Sequence, residues 1–477
     1  MEALNDEARR FISYVGFKLS CAEEQARLGW RLDYQRALDN YSHLESEAKV
    51  KVEQLKKVMP KVPRYQIYNK PKVIFKKDGT LSSHGERWFQ RLKEAKLSPT
   101  ETGPIKVIVD FDEPNPNSSD QVKNWLYSLG WKPQTFNYVR DKETGDERAI
   151  PQVRDDGELC ASVKKLAAQD PAIELLDGLT VIQHRMTIFK GFIESAQQRP
   201  DGTYWLKAEI GGLTNTMRFK HRKPLTNIPG VDAEYGGEIR GCLIAPEGEF
   251  LIGSDMTSLE STTKRHYMKP YDPEYVEEMG KEGFDEHLDI AKFAGVISQE
   301  DIDLYNKGEK PELKAVRKIY KPVNYAGVYG IKGLSLSRQL GISVREAEGL
   351  LDSYWERNWA VKKLAEDQYV KTLKDGSMWL KNPVSGFYYS LRKEKDIFST
   401  LNQGTGVYCF DQWVFFARKL GVQVTFQAHD EVVVVTDDVE GDSLKLKRAI
   451  EMTNEKLQLN VPLGIDVQVG KTYGEVH

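Results

Sequence analysis

Apolar positions recur at helical spacing through residues 5–57: Phe11, Val15 and Leu19, then Leu38, Tyr41, Leu44, Val50 and Leu55. The stretch Gly29-Trp30-Arg31-Leu32-Asp33 interrupts them, so the pattern predicts two long helices separated by a turn. From residue 59 the period is lost. MPKVPRYQIYNKPKVIFKKDGT carries basic residues at 61, 64, 70, 72, 76 and 77 against one acid, interleaved with aromatics. Residues 59–110 therefore read as a solvated loop, as a basic surface for a polyanion, or as an apolar docking surface built from Tyr65, Ile67, Tyr68, Ile74 and Phe75. After Pro114-Asn115-Pro116 the helical pattern returns over 119–129 and 170–198, and Tyr204–Ile210 alternates like a strand. Beyond residue 240, apolar strands at 248–255, 422–428, 431–436 and 464–470 are separated by helical stretches at 310–372 and 402–419. That mixture predicts an α+β fold with a mainly antiparallel sheet. No internal repeat or low-complexity segment is present.

Composition adds bounds. The 477 residues, 40% hydrophobic and 10% aromatic, suffice for about three domain-sized units with large cores. With 71 acidic and 68 basic residues the net charge of −3 steers nothing globally, so any polyanion site must be local. The first thirty residues contain no apolar signal region, and no run approaches the roughly 18 apolar residues of a membrane span. This predicts a soluble, cytoplasmic protein with no membrane partner. Cysteines 21, 160, 242 and 409 lie too far apart for a zinc or dithiol motif and are expected as reduced thiols.

The candidate chemistry sits at strand ends. FLIGS ends in Asp255, and QAHDEVVVV places Asp430 and Glu431 at the turn of a hairpin. Two strand-end acids over one sheet can hold a pair of divalent cations roughly 3.5–4 Å apart, which stabilise an in-line phosphoryl displacement. Taken singly, a strand-end aspartate is more often a turn or cap residue. Arg317, Lys321, Tyr325 and Tyr329 recur every fourth residue and line one helix stripe. Cations there can hold phosphates and a tyrosine can stack on a base, although the spacing also fits a core helix with snorkelling cations.

In chain order, DMTSLE (255–260), RKIYKPVNYAGVYG (317–330) and HDE (429–431) resemble three motifs of the family A (DNA polymerase I type) DNA polymerases, nearest the phage replicative branch. The similarity extends through FDEPNPNSSDQVKNWLYSLGW (111–131), PLTNIPGV (224–231), NQGT (402–405) and the stretch 460–477. The resemblance implies a right-hand polymerase fold with an antiparallel palm sheet, helical fingers and a helical thumb. Its segments would be a thumb at 1–200 that includes 59–110, a first palm segment at 201–265, fingers at 266–372 and a second palm segment at 373–477. It implies template-directed 5′ to 3′ DNA synthesis from dNTPs with two Mg2+ ions, for which Mn2+ can substitute.

By the same resemblance Asp255, Asp430 and Glu431 are catalytic, and Asp255, Asp430 and the Met256 carbonyl bind metal. Glu260 lies beneath the sugar and excludes a ribose 2′-OH, His287, Arg317 and Lys321 take the triphosphate, and Tyr325 flanks the incoming nucleotide. Tyr329, Gly330, Arg218, Gln403 and His429 face the primer-template. Primer-template DNA and dNTPs are the implied partners, with a processivity factor or a separate exonuclease beside them. The setting is the host cytoplasm if a phage encodes the chain.

Three departures stand out. TMR (216–218) replaces the family's TGR, Pro322 enters the fingers helix where it should bend it, and similarity begins at the thumb, so no proofreading domain is expected. VDFDEP (109–114) is D-x-D rather than the exonuclease D-x-E and reads as a strand and turn. Rival readings are a single-subunit RNA polymerase, opposed by Glu260 and the HDE triplet, a two-metal nuclease, and a non-catalytic primer-template-binding subunit.

Overall fold

A computed structural model describes residues 5–141, 143–155 and 157–476. Its centre is a four-stranded antiparallel sheet in the order Val424–Ala428, Glu431–Thr436, Phe250–Met256, Ile465–Gly470. The first two strands form the expected hairpin around His429 and Asp430. Side chains alternate across a strand. Ile252 and Met256, with Val432 and Val434 beside them, pack against Trp413 of the helix Ile397–Lys419 and Leu446 and Ile450 of the helix Val439–Leu457. Each fully buried side chain of this size contributes about 1.5–3 kcal/mol. Leu251, Gly253 and Asp255 take the opposite face, away from this helical core.

Gly253 is there because the chain's own C-terminal segment lies on that face. A Cβ at this position would stand 2.1 Å from the Val476 carbonyl oxygen and 2.9 Å from the Val476 Cβ.

The helix Asp6–Leu28, capped by the Asn5 side chain, buries Tyr14, Lys18, Cys21 and Gln25. This is not the expected apolar stripe: Phe11 is 36% and Leu19 63% exposed. A polar partner selects the face. Lys18 Nζ donates to Asp411 Oδ1 at 2.8 Å and Tyr14 Oη donates to Oδ2 at 2.5 Å, all three groups being buried. Burial pushes the Asp411 carboxyl above its ordinary value, and the Lys18 ammonium and both hydrogen bonds restrain the rise.

Other expectations shift locally. The stretch 29–33 carries a short strand, Trp30–Leu32, because fully buried Trp30 is packed within 5.2 Å of Phe426 and 4.7 Å of Tyr473. The single strand expected over 204–210 divides: Tyr204–Leu206 pairs with Trp30–Leu32, and Ile210–Leu213 with Phe219–His221. The helical stretch 310–372 holds four helices, Leu313–Val328, Gly333–Leu340, Val344–Arg357 and Trp359–Glu366. It ends in a strand, Val370–Thr372, paired with Met378–Lys381. Pro322 lies inside the unbroken helix Leu313–Val328. This helix shares a core with Ile290, Leu336, Leu351 and Tyr354, and Gly327 admits the Tyr354 ring, which a Cβ would meet at 2.8 Å.

The chain divides into two compact units, Met1–Ala37 with Gly191–His477, and Leu38–Lys190. The helix Asp6–Leu28 belongs to the unit that holds the sheet, and the Lys18–Asp411 pair ties it there. In the second unit, residues 59–110 hold two strands and a helix, with Lys70, Lys72, Lys76 and Lys77 in the irregular connection between the first strand and the helix. Val62–Tyr68 pairs antiparallel with Ile105–Asp112, and the helix Ser83–Glu94 covers them with Trp88 and Leu92 on Ile105 and Val107. VDFDEP accordingly begins in a strand. Lys61 pairs with Glu113 and Arg64 with Asp110, Tyr68 and Ile74 pack on the small core, and Tyr65, Ile67 and Phe75 are exposed. All four cysteines are buried thiols outside any disulfide. Among the described residues no helix is long and apolar enough to cross a membrane.

Gly253→Ala should destabilise the fold by about 1–3 kcal/mol or more, because the Val476 backbone cannot yield as a flexible side chain would. Gly349→Ala, at an exposed helical site with nothing within 4 Å of the new Cβ, should instead stabilise it by about 0.5–1 kcal/mol. Urea unfolding of both variants measures the contrast.

Candidate active site

The acids gather at one end of the sheet. Asp255 is cross-strand partner to Glu431 on one side and to Asp466 on the other, so the three project from the same face. Asp255 is exposed, whereas Glu431 is buried and accepts a hydrogen bond from Tyr473 Oη at 3.0 Å. The Met256 N–H donates to the Asp430 carbonyl at 3.0 Å, which fastens the hairpin turn to the strand end. His429 holds a left-handed φ of 56° in that turn, a conformation costing a non-glycine residue about 1–3 kcal/mol. Burial pushes the Asp430 carboxyl above its ordinary value, and the positive charge of Arg218 and the nearby His429 oppose the rise.

Beside the acids opens a cleft of about 530 Å3. It brings together Asp430, Glu260, His287, Arg317, Tyr325, Tyr329 and Gln403. Glu260 is exposed in the first turn of the helix Leu259–Met268, 3.8 Å from the Arg218 guanidinium. Gln403 Nε2 donates to Tyr329 Oη at 2.8 Å. Arg218 and His429 stand near Asp430 without lining the cleft, and exposed Lys321 lies outside it, one turn along from Arg317. Asp255, Met256, Glu431 and Gly330 are likewise not among its lining residues, and the Met256 side chain is buried in the sheet's core.

Several lining residues escaped sequence reasoning, among them Asp285, Glu286, Lys264 and Asn324. Asp285 caps the helix Glu286–Phe293, accepting from the backbone of His287 at 2.8 Å and Leu288 at 3.0 Å, and receives Arg317 Nε at 2.5 Å. Burial raises its carboxyl, but Arg317 and these N–H groups outweigh burial and hold it below the usual value. Glu286 accepts from Ser261 Oγ at 2.5 Å, Asn324 Nδ2 at 3.3 Å and Lys264 Nζ at 3.4 Å. Despite burial, Lys264 and those donors hold Glu286 down at about 2. Lys264 and Asn324 line the cleft beside them. The only sequence signal for this group is the cluster of charges in FDEHLDIAK (284–292), which does not say what each charge meets.

The sequence model of DNA polymerase family A matches residues 101–380, more than half of the chain. The chain belongs to DNA polymerase family A. Among its relatives, DNA polymerase I of Lactococcus lactis subsp. lactis is 26% identical over 334 residues, 66% of this chain and 36% of the relative. DNA polymerase I of Streptococcus pneumoniae serotype 4 is 28% identical over 392 residues, 76% of this chain and 40% of the relative. The chain thus spans about two-fifths or less of the length of these curated relatives. Its fold resembles the POL domain of Pol1 from M. smegmatis, solved in complex with DNA primer-template and dNTP, at a TM-score of 0.66 and 18% identity, over 97% of this chain and 70% of that one. The architecture is α+β, as expected.

A family A site implies divalent cations, and the donors here suit them. Among the described residues no group of three or more His, Cys, Asp or Glu forms a metal cage. Magnesium does not need one: it is commonly held by one or two carboxylates together with substrate phosphates and water. The Asp255 and Asp430 carboxylates and the Met256 carbonyl are hard oxygen donors of that kind.

The depressed Glu286 carboxyl makes stability depend on pH. A folded-state value below the unfolded one stabilises the fold above the unfolded value and loses that contribution as pH falls. Glu286→Gln should therefore lower the melting temperature most above pH 4.5, and the gap to the native chain should close as pH falls from 4.5 towards about 2. Thermal melts of both proteins across that range test this.

Proposed function

We propose that this chain carries out template-directed 5′ to 3′ DNA synthesis, joining the α-phosphate of a dNTP to a primer 3′-OH and releasing pyrophosphate. The observation that carries the reading is the single cleft in which a strand-end acid, Asp430, a carboxylate at the sugar position, Glu260, and a phosphate-binding cation, Arg317, are lining residues together. The fold relative bound to DNA primer-template and dNTP supports it. Two Mg2+ ions, or Mn2+ in their place, held by Asp255, Asp430 and the Met256 carbonyl, would supply charge stabilisation at the α-phosphate and the attacking oxygen.

The chain's own residues do the rest. Arg317 and Lys321 receive the β- and γ-phosphates, for which a guanidinium fork is suited. Arg317 exchanges Asp285 for phosphate oxygens, and His287 adds a neutral donor. Tyr325, 55% exposed on the cleft wall, stacks on the nucleotide. Tyr329, Gly330, Gln403, Arg218 and His429 contact the templating base and the primer end, and Glu431 braces the acid cluster through Tyr473. In this reading 201–265 and 373–477 form the palm, 266–372 the fingers and residues up to 200 the thumb. Within it, Lys70, Lys72, Lys76 and Lys77 contact the duplex backbone. Work on a phage genome in the host cytoplasm, beside a processivity factor and a separate exonuclease, follows from the sequence resemblance.

Magnesium-dependent primer extension with dNTPs tests the proposal directly, and a folded chain that binds primer-template without extending it would refute the catalytic reading. Asp255→Asn and Asp430→Asn should each lower single-nucleotide incorporation by about 10³-fold or more, as loss of transition-state charge stabilisation does. Primer-template affinity, measured by fluorescence anisotropy, should largely survive. Glu260→Ala should incorporate ribonucleotides more readily while slowing dNTP incorporation, because one change removes a steric wall and a positioning contact. Parallel extension assays with dNTPs and NTPs read both effects.

A further inference from the structure

His287 is 8% exposed at the back of the cleft, and its Nδ1 lies 3.1 Å from Asn324 Nδ2. The same amide nitrogen lies 3.3 Å from a Glu286 carboxylate oxygen. These two distances constrain the chemistry. An amide oxygen turned toward the carboxylate would repel it, so the amide must present its NH2 group, one hydrogen to Glu286 and the other to His287. A ring nitrogen that accepts a hydrogen bond carries no proton, and a neutral imidazole then carries its proton on the other nitrogen. Glu286 is itself fixed by Ser261 Oγ at 2.5 Å and Lys264 Nζ at 3.4 Å, both from the helix Leu259–Met268.

We infer that Glu286 and Asn324 are positioning residues that lock His287 as the neutral Nε2–H tautomer, aiming one hydrogen-bond donor into the cleft toward the triphosphate. The inference deepens the polymerase reading and rests on it for the identity of the ligand; the tautomer itself rests on geometry alone. It explains why an acid stands among phosphate-binding cations. Glu286 orients Asn324 and neutralises Lys264 rather than meeting substrate. A neutral donor also adds no charge beside Arg317 and Lys321, so pyrophosphate leaves a less cationic wall. Burial lowers the tendency of His287 to take a second proton, in the same direction as the lock. The charged and titratable groups facing the ring are Asp285 and Glu286 on its own segment and Arg317, Lys321 and Tyr325 from the helix Leu313–Val328.

The test is heteronuclear NMR of the full chain labelled with ¹⁵N-histidine, with the His287 signals among the eight histidines assigned by His287→Gln. The expected result is a proton on Nε2 and an unprotonated Nδ1 through neutral pH, with protonation at a lower pH than for exposed histidine. Asn324→Leu and Glu286→Gln should each admit the Nδ1–H tautomer, and Asn324→Leu should let the ring protonate at higher pH, whereas in Glu286→Gln the loss of a neighbouring negative charge opposes that rise. In steady-state primer extension each should raise the dNTP KM about tenfold, the size of one lost hydrogen bond to a charged group, with a smaller change in kcat. A native ring protonated on Nδ1, or doubly protonated at neutral pH, overturns the inference. So does an unchanged tautomer and titration in both variants. Should Asn324→Leu fail to fold, the native spectrum and Glu286→Gln still decide. An Nε2–H ring in a chain that extends no primer would leave the lock standing and refute the polymerase reading instead.

Discussion

The register of the strand Phe250–Met256 between its two antiparallel neighbours is the constraint on which the site depends. Pairing Asp255 with both Glu431 and Asp466 puts three acids level across the sheet, and alternation turns them away from the core formed by Ile252, Met256, Val432 and Val434. A slip of one residue would turn the acid toward that core and put Ser254 or Met256 in its place beside Glu431 and Asp466. Two features oppose such a slip: the Val476 backbone lies where a Cβ on residue 253 would be, and the Met256 N–H is bonded to the carbonyl of Asp430. The geometry of the acids is thus set by backbone pairing and close packing.

Charge in and beside the cleft is arranged in pairs. Arg317 rests on Asp285, Lys264 on Glu286 and Arg218 near Glu260. Each acid offsets the charge of the cation beside it and restricts that side chain to few conformations. The three pairs differ in burial. Lys264 is nearly closed off from solvent, whereas Arg317 is about a third exposed. The Lys264–Glu286 pair is thus the most enclosed of the three, and the Arg218–Glu260 and Arg317–Asp285 pairs are more open to solvent.

A buried ion pair also joins the N-terminal helix to the sheet's supporting helix. Lys18 and Asp411 are 2% and 1% exposed, and removing one partner of such a pair typically costs about 3–5 kcal/mol because the other is left charged and unpaired. That cost specifies which face of the helix turns inward, at the expense of Phe11 and Leu19, which an apolar-only rule would bury.

The sequence by itself determined the features written in local period and local order. These are the α+β class, the helices 6–28 and 34–58, the hairpin around Asp430 and the three motifs in series whose family the comparisons bear out. Short-range hydrogen bonding and side-chain alternation suffice for each of these. The tertiary structure alone decided what depends on partners far along the chain. It selected the buried face of the first helix, reached across 393 residues to Asp411, and set Asp466 level with Asp255. It also turned Glu286 from one charge in FDEHLDIAK into the anchor of Lys264, Ser261 and Asn324. A charged side chain has no preferred partner in sequence; its environment is fixed only when folding removes water and leaves particular groups within hydrogen-bonding reach.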